Sequence, residues 1–364
     1  MQIHGGDIYR NTVELDFSVN GNPCGMPAGV KEALHQAVEQ CVHYPDPDVE
    51  GLREKLAESL RVAGQQILVG NGASELFPAI VWAVAPRRTV IPVPSFGGYT
   101  YAVSAWSGDT FYVPLCEDNG FTLTEEILPV LDGQTDLLVL AQPNNPVGNL
   151  IEETQLERVL AHCREKGVRV ILDECFLELC PQGARKSFAS RVNTYPNVLV
   201  VRAFTKTYAM PGVRLGYAVC SDVKLLERVR GQLSEWNVSV LAQAAGIAAL
   251  EDRTYLKESV KQIAMWREQL AAGLETLGFR VYPGETNFVL FKWDQELKQE
   301  LGREPEQNQM QGYLYRAMLE RKILIRDCSN YRGLGVGYYR VAVRTKEEND
   351  RLLQMMKEII ERIC

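Results

Sequence analysis

The sequence predicts an α/β protein built on a doubly wound, mostly parallel sheet, with a second, smaller α/β domain. Short apolar runs rich in β-branched residues alternate with stretches of helical periodicity between about residue 50 and residue 277. Those runs end in glycine, proline or polar residues, and after Gly278 the rhythm changes to shorter strands and helices. The expected division is an arm and helix over 1–45 joining the smaller domain, a large domain over 46–277, and the smaller domain over 278–364.

Residues 1–27 contain HGGDIY and LDFSVNGNPCGMP, too rich in glycine, proline and asparagine for regular structure, and form an arm or a tail. Ala28 to Cys41 shows helical spacing, broken by His43-Tyr44-Pro45-Asp46-Pro47. Gly51 to Arg61 reads as a short amphipathic helix. Ile67-Leu68-Val69 reads as a strand running into Gly70-Asn71-Gly72-Ala73-Ser74-Glu75 and an apolar helix, Leu76 to Ala85. Strand, glycine turn and helix aim unpaired N–H groups at an anion, although such a run also builds plain turns.

Three further strands end in residues with chemistry. Thr89 to Val93 ends at Pro94-Ser95-Phe96, with Tyr99 beyond; Leu137 to Ala141 ends at Gln142-Pro143-Asn144-Asn145-Pro146. After a helix over Thr154 to Lys166, Val168 to Leu172 ends at Asp173-Glu174-Cys175-Phe176. Asn197 to Val201 is a buried strand followed by Thr205 and Lys206, a Met210-Pro211-Gly212 turn and a short strand from Arg214 to Cys220. Ligands of doubly wound sheets bind beyond the strand carboxyl ends, so these residues converge on one edge. Helices are expected over Ser234 to Glu251 and Tyr255 to Leu277. Shorter elements follow at Phe279 to Tyr282, Asn287 to Trp293, Gly312 to Arg321, Ile323 to Arg326, Tyr338 to Val343 and Lys346 to Ile363. The polar stretch Asp294 to Met310 reads as a surface insertion.

Composition narrows the function classes. Of the 364 residues, 46% are hydrophobic and 23% charged, as in a soluble globular chain. A net charge of -7 gives no general drive toward nucleic acid or anionic membrane. No apolar run approaches a membrane span, and the amino terminus lacks a cationic region followed by an apolar core. Nine cysteines without a CxxC pair suit reduced thiols in the cytoplasm, with Cys175 a small buried hydrophobe, and no metal site is expected.

A lysine leaving a buried strand must be paired, neutralised or covalently used. Thr205-Lys206 followed by Pro211-Gly212 and Arg214-Leu215-Gly216-Tyr217 resembles the S/T-K-x-x-x-x-P-G-x-R-L-G-Y signature of fold type I enzymes that use pyridoxal 5'-phosphate, the class I/II aminotransferase family. The resemblance implies that Lys206 holds the cofactor covalently and Arg214 clamps its phosphate, with Gly72, Ala73, Ser74 and Thr205. It makes Asp173 the partner of the ring nitrogen, Asn145 the donor to the ring oxygen and Phe96 the stacking aromatic. Tyr44 matches a tyrosine that reaches the neighbouring subunit's phosphate site, which implies a homodimer. Taken singly, Asp173 is also a helix cap, Asn145 a turn residue and Phe96 a core residue. Two positions depart from the pattern: Phe176 stands where many relatives have tyrosine, and Ala203 where many have serine.

Within the family, HGG, DFSVNGNPCGMP, DECF, ILIRDCSNYRGL and YYRVAVRT resemble the threonine-phosphate decarboxylases of cobalamin biosynthesis, with histidinol-phosphate aminotransferases next. Gly21 stands where the decarboxylases have a bulkier apolar residue. The implied substrate is a small phosphorylated amino acid, with Arg326 and Arg340 as anchors for its two anions. His4, Gly5, Asn20 and Asn145 match further substrate contacts. Arg344 either adds positive potential or is a solvated surface residue. The implied reaction is decarboxylation of L-threonine O-3-phosphate to (R)-1-amino-2-propanol O-2-phosphate, or else transamination; the same residues serve both. A regulatory relative without turnover would carry a basic DNA-binding segment, and none precedes His4.

Overall fold

The computed structural model describes residues 5–252, 254–293 and 312–363, so His4 and the stretch expected to be an insertion, 294–310, lie outside the described residues. Strands are numbered β1 to β13 in chain order. β1 (Leu15–Asp16) belongs to the amino-terminal arm, which is no tail, because Phe17 beside it is completely buried against Leu270, Val289 and Ile323.

The large sheet comprises β2 (Ile67–Gly70), β3 (Arg88–Val93), β4 (Asp109–Pro114), β5 (Leu137–Ala141), β6 (Arg169–Asp173), β7 (Val198–Ala203) and β8 (Gly216–Val219). They lie in the order β2-β8-β7-β6-β5-β3-β4. β7, β6, β5, β3 and β4 pair in parallel, and β8 runs antiparallel to both of its neighbours. The apolar runs divide by the two-residue period of a strand. Leu138 and Leu140 of β5 join a core with Leu156, Val159 and Leu160 of the helix Glu153–Lys166. Leu137 and Val139 join the opposite core with Leu76 and Ile80 of the helix Ala73–Val84. Cover on both faces is why these strands read as unbroken apolar runs.

The sequence pattern gave no sign of β4. Its residues, DTFYVP, alternate between exposed and half-buried at the sheet's edge, so no apolar run announces it. The helix expected from Ser234 starts at Val240, where the Ser239 hydroxyl accepts the Ala242 N–H at 3.1 Å and caps the first turn. The helix expected to reach Cys41 ends at Ala37 and tightens into a 3-10 turn over Val38–Val42.

β9 (Arg280–Val281), β10 (Phe288–Lys292), β12 (Arg326–Asp327) and β13 (Tyr338–Ala342) form an antiparallel sheet in the order β12-β13-β10-β9. The helices Tyr255–Thr276, Tyr313–Leu319 and Lys346–Ile363 cover it, burying Leu270, Met318, Leu352 and Met356 against Phe291 and Val341. β11 (Ile323–Leu324) pairs in parallel with β1 and ties the arm to this layer. Arg326 of β12 and Arg340 of β13 are direct cross-strand partners.

Candidate active site

The carboxyl ends of β2, β3, β5, β6 and β7 share one edge of the large sheet, and a cavity of about 290 Å³ opens there. Its wall brings together Gly5, Asn20, Ala73, Ser74, Phe96, Asn145, Asp173, Thr205, Lys206, Arg214, Arg326 and Arg340. Gly72 stands just behind that wall. Tyr44 does not line the cavity of its own chain; it is 81% exposed and rests its ring on Trp236, 4.9 Å between centroids.

The backbone explains the convergence. β7 ends at Ala203 and turns into the single helical turn Phe204–Thr207, which carries Lys206. Burial, with Arg340 and Arg214 nearby, lowers the pKa of its ammonium to about 8. Arg214 lies outside the expected strand, in the left-handed region with φ 62°, and this turns its guanidinium back toward β2. There Nη2 donates to Ser74 Oγ at 2.7 Å and Nη1 to the Pro211 carbonyl at 3.0 Å. A Cβ on Gly72 would come within 2.6 Å of Arg214 Nη2, and Gly72 itself has φ +80°, so only glycine lets the guanidinium lie there. The helix starts at Ala73 rather than at Leu76, which aims its first N–H groups at the same spot.

Asp173 ends β6 and is buried. Tyr99 Oη donates to its Oδ2 at 2.5 Å, and the Cys175 N–H donates to its Oδ1 at 2.9 Å. Burial raises its pKa, while the donors from Cys175 and Tyr99 pull the other way. Beneath it, Glu174 accepts from Ser187 Oγ at 2.5 Å and the Phe188 N–H at 2.7 Å, beside Arg202, which pairs with Glu178 at 2.7 Å. Phe176 lines the cavity and meets Phe288 edge-on at 5.2 Å, so the missing phenol is replaced by apolar packing.

Arg326 and Arg340 are 8% and 5% exposed. Among the described residues neither has a carboxylate partner. Arg340 donates to Asn145 Oδ1, to Tyr331 Oη at 3.3 Å and to the Ser18 carbonyl at 2.9 Å. Arg326 donates to Asn330 Oδ1 at 2.7 Å and to the Asp327 carbonyl. Among the described residues the buried Arg340 Nε and Asn20 Oδ1 have no hydrogen-bond partner. Arg344, by contrast, does not line the cavity; it pairs with Glu348 at 2.7 Å. A Cβ on Gly21 would meet nothing within 4 Å, leaving open space where the decarboxylase pattern has bulk.

Sequence reasoning gave no role to Ser18, Tyr99 and Tyr331, all on the wall. Ser18 and Tyr331 lay inside motifs already singled out. Tyr99 stands three residues after Phe96 in an apolar stretch, where nothing but its phenol marks it.

The residues suit a group with a phosphate and a cationic aromatic ring. Ser74, Arg214 and a helix start face the one; a buried carboxylate and Phe96 suit the other. Comparison with known proteins agrees. The chain belongs to the aminotransferase class I and II family, whose sequence model matches residues 12–356. It is 35% identical over 376 residues to a threonine-phosphate decarboxylase of Salmonella typhimurium, covering 99% of this chain and 97% of that protein. The histidinol-phosphate aminotransferase of Clostridium acetobutylicum has the same fold, with a TM-score of 0.86, 27% identity and coverage of 96% and 99%. That of Sinorhizobium meliloti, solved with pyridoxal-5'-phosphate, has a TM-score of 0.79 at 26% identity, covering 97% and 92%. The fold is that of the type I pyridoxal phosphate enzymes, and pyridoxal 5'-phosphate is the family's cofactor.

Proposed function

We propose that this chain decarboxylates L-threonine O-3-phosphate to (R)-1-amino-2-propanol O-2-phosphate. One observation carries the reading: Arg326 and Arg340, buried and directly opposite each other on paired strands, have only neutral partners among the described residues. Like charges set opposite on a sheet destabilise it, and buried charges without counter-ions cost more still. A ligand with two anionic groups removes that cost. The 35% identity to a threonine-phosphate decarboxylase supports the choice of reaction.

The cofactor, when bound, supplies a covalent anchor for the substrate amine and an electron sink for the bond broken at the α-carbon. Lys206 Nζ holds it; with its pKa lowered to about 8, a useful fraction is neutral amine at neutral pH. Ser74, Thr205, Arg214 and the N–H groups at Ala73 hold its phosphate, with Gly72 making room for the guanidinium. Asp173 would pair with the ring nitrogen, Asn145 with the ring oxygen, and Phe96 would stack on the ring. Arg326, Arg340, Asn20 and Gly5, with His4, orient the substrate, and Lys206 returns a proton to the α-carbon. Tyr44 completes the partner's phosphate site in a homodimer, a role that suits its exposure and its stacking on Trp236.

The test is product analysis. Threonine O-phosphate should yield carbon dioxide and aminopropanol phosphate with no keto acid present. A requirement for 2-oxoglutarate, without carbon dioxide, would assign the chain to transamination instead, as in the histidinol-phosphate aminotransferases.

A further inference from the structure

We propose that Tyr99 is a positioning residue of the cofactor site, aligning through one side chain the two groups that meet the cofactor ring from its face and from its nitrogen. The inference rests on the reading above, in which those groups are Phe96 and Asp173. Tyr99 is 2% exposed, and a phenol so buried needs a partner for its hydroxyl. That partner is Asp173 Oδ2, at 2.5 Å. With Oδ1 held by the Cys175 N–H, each carboxylate oxygen is tied by its own donor, so the carboxylate plane is fixed before any ligand arrives. The same tyrosine ring stands edge-on to Phe96, with centroids 5.5 Å apart and planes at 85°, and edge-on to Phe77 at 5.3 Å. The Phe96 ring folds back over Gly98, where a Cβ would come within 2.2 Å of it, so its pose is set between the glycine and the tyrosine.

Burial also pushes the Tyr99 phenol well above its ordinary pKa, so it stays a donor across the working range. A carboxylate meant to pair with a ring N–H must stay charged inside an apolar wall. Hydrogen bonds given to a charged acceptor favour that form.

The experiment is a double-variant cycle read by cofactor binding and by the circular dichroism of the bound cofactor's visible band. Tyr99→Phe keeps the ring and its edge contacts and removes only the hydroxyl. Its affinity for pyridoxal phosphate should fall about ten- to a hundredfold, with a changed dichroic band. In an Asp173→Ala background, where no carboxylate remains to be held, the same change should cost less than about threefold. Tyr99 does not act through Asp173 if the two losses are equal, or if Tyr99→Phe binds as the wild type does with an unaltered band. Failure of the underlying reading looks different: Asp173→Ala alone would leave cofactor affinity and the band intact. Should apo Tyr99→Phe lose its fold, Gly98→Ala tests the other arm by displacing the Phe96 ring. An unaltered band there would overturn the claim that this ring's pose matters.

Discussion

The edge of the large sheet and the β12–β13 pair both line the cavity, yet they hold charge in different ways. At the sheet edge the carboxylate and the guanidiniums already have hydrogen-bond partners in the protein, while Lys206 meets its burial with a lowered pKa. Asp173 takes hydrogen bonds from Tyr99 and Cys175, Arg202 pairs with Glu178, and Arg214 reaches Ser74 from an exposed position. On β12–β13, two buried guanidiniums stand opposite each other, and among the described residues their hydrogen-bond partners are amide, carbonyl and phenol oxygens. On the proposed reading the first region holds the cofactor and the second is completed by the substrate's anions. The contrast would then separate holding a cofactor, which stays, from holding a substrate, which comes and goes.

Variants should respect that separation. The largest effect is expected from Lys206→Ala, which removes the covalent hold. The purified protein should lose its visible cofactor band, and turnover should fall to background by direct assay. Arg340→Ala comes next. Removing a buried charged partner of a substrate anion should lower kcat/KM by about a hundredfold, while cofactor affinity stays within about twofold. Arg214→Ala should do the reverse, weakening cofactor binding about tenfold by equilibrium titration while substrate KM at saturating cofactor changes little. A variant of either region that moved both quantities equally would erase the contrast.

The smallest effect is on stability. Lys206 pays for burial with a pKa lowered from 10.5 to about 8. A buried ammonium of this kind destabilises the folded apoprotein fully below about pH 8, and the penalty fades as the pH rises toward 10.5, where the unfolded lysine also loses its proton. Apo Lys206→Met should therefore melt a few degrees higher than wild type at pH 7, with the gap closing above pH 10.

The sequence spoke clearly about the finished region and less clearly about the other. Lys206, Arg214 and the strand-end residues Asp173 and Asn145 stand in a spaced motif at the ends of apolar runs, and both signals survive in one dimension. The opposition of Arg326 and Arg340 arises from strand register, with thirteen residues of chain between them, and only pairing reveals it. Tyr99 was silent for a related reason. Its partner Asp173 lies 74 positions away at the end of β6, and a tyrosine in an apolar stretch reads as core until its hydroxyl is located. The edge strand β4 was missed because half-burial removes the apolar run that betrays its neighbours. The start of the helix at Ala73 was misjudged because Gly72 and Ser74 look like turn residues, although Gly72 is the helix's N-cap and Ser74 lies in its first turn.

The central claim is that the paired arginines divide two substrate anions. It is tested most directly by kcat/KM for threonine O-phosphate and for threonine, measured side by side on wild type, Arg326→Ala and Arg340→Ala. The wild type should favour the phosphorylated substrate by about a hundredfold or more. In one arginine variant that preference should collapse toward unity, while the other should lose both substrates alike, having surrendered the carboxylate anchor. An undiminished preference for phosphate in both variants would contradict the account.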